Sequence, residues 1–260
     1  MSREITIRPL ASRADCEACV ELQVTIWGPQ DFVPASVLMV AQKVGAIAAG
    51  AFDSRGALLG CVFGLTGVRD GRIVHWSHFL AVRPDSRDLG LGRRLKQYQR
   101  RVLHSRGVTA VYWTFDPLVA RNAHLNLNRL GAVVEEFVPD MYGAAGESTV
   151  DRLLGTDRFV VRWDLRGNPR GRRGVSGLAS VPVVNAARAG GELVPAEPEL
   201  PAVAQVRVAV PADIQVLKDR SPQVAQAWRS ATRRALLHYL GRGLRVTRFL
   251  PDGYYVLEAP

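Results

Sequence analysis

Leu80-Ala81-Val82-Arg83-Pro84-Asp85-Ser86-Arg87-Asp88-Leu89-Gly90-Leu91-Gly92 is the stretch that decides how this sequence is read. Its first three residues are the apolar end of a strand, and an amphipathic helix follows. Gly90 and Gly92 let backbone N–H groups come close to an anion, and the helix N-terminus adds roughly half a positive charge at the same point. A pyrophosphate suits such a loop. No Gly-Lys-Ser/Thr follows, which excludes a Walker A loop. Leu95 stands where a third glycine would complete Gly-x-Gly-x-x-Gly, so the dinucleotide fingerprint is missing as well.

Towards the N-terminus, Ile5 to Arg8 alternates like a strand, and Ser12 with Asp15 forms a capping box for a helix running through Trp27-Gly28. Cys16, Val20, Val24 and Trp27 are its expected inner stripe. Pro34 suits the first position of a second helix reaching Lys43, where its missing N–H is not needed. Ala46–Phe52, Ala57–Leu65 and Arg72–Val82 read as three strands joined by the turns Asp53-Ser54-Arg55-Gly56 and Arg69-Asp70-Gly71, an antiparallel meander. After the loop, the pattern gives a helix (Gly92–Ser105), a strand (Val108–Phe115), a helix (Arg121–Leu130, closed by Gly131) and a strand (Ala132–Phe137). The fold class is therefore α/β, with a mixed, mostly antiparallel central sheet flanked by helices.

Residues 166–201 are rich in Gly, Arg and Pro and show no sustained period, so they read as a flexible exposed connection. Beyond them lies a strand-helix-strand-strand extension: Gln205–Val210, a helix from Ser221-Pro222 to Leu240, Leu244–Leu250 and Tyr254–Glu258. The expected domains are 1–165, the connection 166–201, and an extension 202–260 that continues the same sheet or covers the acceptor side.

A chain of 260 residues, 47% hydrophobic and 22% charged, can bury a substantial core. Met1-Ser2-Arg3-Glu4-Ile5 offers no secretion signal, and the longest apolar run, Val44–Phe52, is about half a bilayer span. The expected location is the cytoplasm, without a membrane. Three cysteines, Cys16, Cys19 and Cys61, fit a reducing compartment, and Cys16-x-x-Cys19 lacks the second pair that a metal site needs. No metal is expected. A net charge of +10 suits an anionic partner, either nucleic acid or a phosphorylated small molecule. Arg166, Arg170, Arg172 and Arg173 crowd the connection without interleaved aromatics. Arg229, Arg233 and Arg234 read as the solvated face of a helix whose inner stripe is Val224, Trp228, Ala231, Ala235 and Tyr239. Both observations argue against nucleic acid.

The spacing Val82-x-Pro84-x-x-Arg87-x-x-Gly90-x-Gly92, after a strand and before a helix, resembles the acetyl-CoA loop of the GNAT acyltransferase superfamily. The likeness covers about residues 4–165. Ser77-His78-Phe79-Leu80-Ala81-Val82, Leu95-Lys96-x-x-Gln99-Arg100, Trp113-Thr114-Phe115-Asp116-Pro117-Leu118, Arg121-Asn122-Ala123-x-x-Asn126, Tyr142-Gly143 and Asp157-Arg158 resemble one branch of predicted GNAT enzymes. The resemblance implies an N-acyltransferase that uses acetyl-CoA, or another acyl-CoA such as succinyl-CoA, on a primary amine of a small molecule or amino acid; a homodimer is open. It also implies a strand before the loop that splays from its neighbour, with backbone N–H groups of Phe79 to Val82 polarising the thioester carbonyl. The implied coenzyme contacts are Leu80, Ala81, Val82, Arg87, Asp88, Leu89, Gly90, Leu91, Gly92 and Arg93. Asn122 and Asn126, one helical turn apart, suit the pantetheine amides or the phosphates.

Acyl transfer needs a neutral amine, a polarised carbonyl and a proton for the leaving thiolate. His78 is the candidate base, with His75 nearby and a buried structural histidine as the ordinary alternative. Asp116 could bind the substrate ammonium or cap the next helix. The superfamily often places a Tyr four residues before the Gly that ends this helix; here that residue is Leu127, and Tyr142 is the nominated phenol, with water as the other donor. Two further readings are a degenerate GNAT domain that senses acyl-CoA and a basic nucleic-acid-binding protein.

Overall fold

A computed structural model describes residues 4–30, 32–143, 154–167 and 178–260. Their contacts form two compact units, one of residues 1–113 with 164–167 and one of residues 114–163 with 168–260. Two of the boundaries, at 113/114 and 163/164, fall inside strands, and the third, at 167/168, lies beside the composition shift at 166 that the sequence suggests.

In the first unit the elements are β1 (Thr6–Pro9), α1 (Arg13–Trp27), α2 (Ala35–Lys43), β2 (Ile47–Phe52), β3 (Leu58–Arg69), β4 (Arg72–Val82), α3 (Leu91–Ser105) and β5 (Ala110–Phe115). β1 through β4 pair antiparallel in sequence order, and β5 joins β4 in parallel. The meander arises as the turn chemistry implies, although β3 ends four residues further on than the sequence pattern suggests. α1 starts on a capping box: Ser12 Oγ accepts from the Asp15 amide at 3.0 Å, and the Asp15 carboxylate accepts from the Ser12 amide at 3.2 Å. Its inner stripe is Cys16, Cys19, Leu22 and Gln23, not the Cys16-Val20-Val24-Trp27 line; Trp27 is largely exposed and meets Phe79 edge-on. The stripe turned because Cys19 packs on β3, its Sγ 3.2 Å from Cys61 Sγ. Leu38, Ala48, Phe52 and Phe63 complete this core. The opposite face of β3 and β4 lies under α3, where a side chain at Gly60 would press on Leu95.

In the second unit, β6 (Val133–Val138) pairs antiparallel with β7 (Arg158–Asp164). The sequence reading assigns no strand to β7, although Phe159, Val160, Val161 and Trp163 are buried there. α4 (Ala120–Ala123) continues into a π-turn at His124–Arg129, where the Leu130 amide reaches back five residues to the Leu125 carbonyl. From 178 onward the chain is more ordered than its composition implies. β8 (Ala186–Ala189) and β9 (Glu192–Pro195) form a hairpin, and Leu178, Val181, Val184 and Asn185 are buried. The arginines at 170, 172 and 173 lie outside the described residues. β10 (Gln205–Ala209), α5 (Ile214–Arg220), α6 (Pro222–Gly241), β11 (Arg245–Leu250) and β12 (Tyr254–Glu258) follow. The last three strands form their own sheet in the order β10-β12-β11 and do not continue another one.

Candidate active site

The strand before the loop breaks its own alternation. Ser77 pairs with Gly64 and Phe79 with Phe63, which leaves His78 as the extra residue of a β-bulge. Before the bulge the odd residues His75 and Ser77 face α3; after it Phe79 and Ala81 belong to the core under α1 and α2. Gly64 is required opposite it, since a Cβ there would overlap His75 Nε2, the Trp76 carbonyl and Ser77 Cα. β4 pairs with β5 only from Val74 to Trp76, so the strand from Ser77 to Val82 departs from that neighbour. This is the splay that the resemblance implies.

Pro84–Leu89 then coil into a 3-10 turn, stapled by Arg83 to Asp85 at 2.7 Å. Gly90 follows with φ 65° and ψ 19°, a left-handed conformation that costs other residues about 1–2 kcal/mol. It turns the chain directly into α3. The Arg94 amide donates to the Gly90 carbonyl at 3.2 Å, and Gly90, as N-cap, offers no side chain to the amides of Leu91, Gly92 and Arg93 that precede it. Arg87, Asp88, Leu89, Gly90 and Arg93 are exposed around this helix end, and Leu91 anchors it in the core. Arg87 and Arg93 have no ion-pair partner among the described residues. A helix start without a side-chain cap from its N-cap residue, beside two exposed guanidiniums, is a feature that can attract an anion.

The two histidines of β4 divide sharply. His75 is fully buried between Thr66 Oγ1 at 3.1 Å and Gln99 Nε2 at 3.0 Å, and burial, reinforced by Lys96 and Arg106, pushes its pKa down to about 3. It is neutral and structural. His78 is exposed at the bulge, edge-on to Phe63 and Phe79 at 6.2 and 6.1 Å between centroids. Partial burial lowers its pKa from the ordinary value, so the imidazole is neutral and able to accept a proton at pH 7. Below β4, Lys96 Nζ reaches Ser77 Oγ at 2.7 Å and sits 4.0 Å from the Trp113 ring centroid. Burial lowers this lysine to about 7.

In the second unit, Asp116 is bound bidentately by Arg229, at 2.6 and 2.9 Å, and one of its oxygens also accepts from the Leu118 amide at 2.8 Å. Burial would raise this carboxyl, but Arg229, the Leu118 amide and Arg158 together hold it below the usual carboxylate range. The carboxylate is taken up by Arg229 and by a turn onto the Leu118 amide, and it does not cap α4, whose start at Val119 has no side-chain cap. Arg233 bridges Asp157 and Asp140. The stripe on this helix is buried at Trp228, Ala231, Ala235 and Tyr239 as the sequence suggests, but Arg229, 4% exposed, joins it and Val224 lies outside. Tyr142 is half exposed. Its hydroxyl is 2.9 Å from Thr114 Oγ1, and Arg158 lies over its ring at 5.3 Å while approaching Asp116 to 4.0 Å. Asn126 is buried on the π-turn, and Asn122 and Leu127 are half-buried.

Neither a protein-family model nor a curated protein sequence matches the chain. Solved structures do. The NatC complex bound to Gag peptide and CoA aligns with a TM-score of 0.50 at 15% identity, over 62% of this chain and 98% of that one. An N-acetyltransferase from Staphylococcus aureus Mu50 aligns with a TM-score of 0.50 at 13% identity, over 62% and 99%. This chain has the GNAT fold.

Within the GNAT fold the structure unites one part of the expected constellation, the loop 87–93 with Leu80 to Val82 and His78. It unites another, Tyr142 with Asp116, through Arg158. Lys96, Ser77 and Arg229 are the residues that sequence reasoning misses. For Lys96 a signal existed, because Leu91, Leu95, Gln99 and Leu103 place it beside the buried stripe of α3. Among the described residues no group of three potential metal ligands is gathered, and no helix is long and apolar enough to cross a membrane.

Proposed function

We propose that the chain is an acyl-CoA-dependent N-acyltransferase that moves an acyl group, acetyl in the first instance, directly onto a primary amine of a small molecule or amino acid. The observation that carries this reading is the junction of β4 and α3: a strand that leaves its neighbour, bulges at His78 and ends in an uncapped helix start opened by a left-handed Gly90.

In this mechanism the pyrophosphate rests on the amides of Leu91, Gly92 and Arg93, with Arg87 adding charge. The amides of Phe79 to Val82 polarise the thioester carbonyl. His78 takes the proton from the substrate ammonium, the amine nitrogen bonds to the carbonyl carbon, and the carbon–sulfur bond breaks. The departing thiolate is a modest base, since thiols ionise near pH 8.5 by ordinary values; it is protonated through water, and the proton that the bonded nitrogen still has to lose restores that water. Succinyl-CoA is the second donor to test because the chain's arginines could pair with its free carboxylate.

A panel of primary amines and amino acids, assayed for CoA release with acetyl- and succinyl-CoA, tests the reading. Saturable release that depends on the amine supports it. Tight CoA binding with no release across the panel favours instead an acyl-CoA sensor, a reading for which Leu127 at the usual phenol position speaks.

A further inference from the structure

Two rungs of polar side chains cross from α3 to β4. Gln99 meets His75, and three residues earlier on the helix Lys96 meets Ser77. Lys96 is 2% exposed and has no carboxylate partner among the described residues. Lys96 touches Ser77 on β4 and the Trp113 ring on β5, and its charge acts on His75, as does that of Arg106. Gln99 Oε1 is also buried without a partner. Burying an ammonium with no counter-charge opposes folding, and an apolar side chain of equal length would fill the same space without that penalty. The fold does not need a lysine here.

The position of the rungs suggests what does. Pairing of β4 with β5 ends at Trp76, Ser77 comes next, and the bulged His78 follows. A bulge next to a departing strand is where register is least constrained, because no ladder on that side holds it. The helix that carries Lys96 is the one that begins at Gly90. We propose that Lys96 is a positioning residue of the donor site: its hydrogen bond to Ser77 fixes the β4 bulge against α3. His78 and the amides of Phe79 to Val82 are thereby held in register with the helix start that takes the phosphates. A methionine would fill the volume but supply no directional link. This rests on the acyltransferase reading.

Lys96→Met, Ser77→Ala and Ser77→Thr test it in the full chain, with Kd for CoA by calorimetry, kcat and KM with the best amine, and Tm. Lys96→Met and Ser77→Ala should each lower kcat about tenfold or more, as small misplacements of reacting groups do, while Kd for CoA stays within about threefold. Ser77→Thr, which keeps the hydroxyl, should restore most of kcat. Lys96→Met should at the same time raise Tm, whereas a role confined to folding would move Tm and leave kcat alone. If wild type turns over and both disruptive variants keep kcat within about threefold of it, this proposal fails alone. If wild type shows no transfer at all, the acyltransferase reading fails and takes this proposal with it. Should Lys96→Met not fold, Ser77→Ala decides.

Discussion

Replacing Lys96 by Met should make the protein more stable at neutral pH and flatten its pH dependence. Burial lowers Lys96 from the ordinary 10.5 to about 7. The folded chain therefore releases this proton near pH 7, while the unfolded chain keeps it until about 10.5. Between those values the unfolded state holds more protons, so stability rises with pH. It is lowest below 7, where the ammonium must enter the core, and the full gain is reached above 10.5. At about 1.36 kcal/mol per pH unit of separation, the buried ammonium costs at most roughly 5 kcal/mol, and the rise from pH 7 to 9 is about 2 kcal/mol. His75, held at about 3, adds a rise of the same sign, but only up to about pH 6.5 and so below this window. Urea unfolding of wild type and Lys96→Met at pH 7, 8 and 9 measures the difference. Methionine, neutral in both states, should remove the part of the slope that Lys96 supplies. Parallel curves, or a variant less stable than wild type at pH 7, would refute the reasoning.

His78→Gln should lower kcat/KM by about a hundredfold or more with CoA affinity unchanged, as expected for loss of a general base. In wild type the rate attributable to His78 should fall only as pH drops below 6.5, because its pKa is lowered; His78→Gln transfer equal to wild type across pH 6 to 9 removes it from the mechanism. Arg87→Ala should weaken CoA by about tenfold or more, the worth of one charge-assisted phosphate contact, and unchanged calorimetric affinity would take Arg87 off the phosphate site. Arg229→Met should cost roughly 3–5 kcal/mol in denaturant unfolding by stranding the Asp116 carboxylate, and adding Asp116→Asn should recover part of it. Equal loss in the single and double variants would show that the pair is not coupled.

What could be read from the sequence was local. Ser12 and Asp15 cap α1, the turns at 53–56 and 69–71 shape the meander, and Gly90 opens α3, because each depends on neighbours within a few residues. The misreadings involve partners far along the chain. Arg229 looked solvated because Asp116, the carboxylate that buries it, is 113 residues away. Trp27 looked internal because the phase of α1 is set by Cys61, 42 residues beyond Cys19. The bulge at His78 and the π-turn at His124–Arg129 are irregularities of hydrogen bonding that no side-chain period announces. The candidate site was legible where it is backbone and glycine, and hidden where it is a buried charge.

The central claim is that the start of α3 holds the pyrophosphate of an acyl-CoA. Calorimetric titration of wild type with CoA and with pantetheine, which lacks the phosphates, tests it most directly. Saturable binding of one CoA per chain is expected, with pantetheine binding weaker by about a hundredfold or more. No CoA binding, or equal affinity for the two, would contradict it.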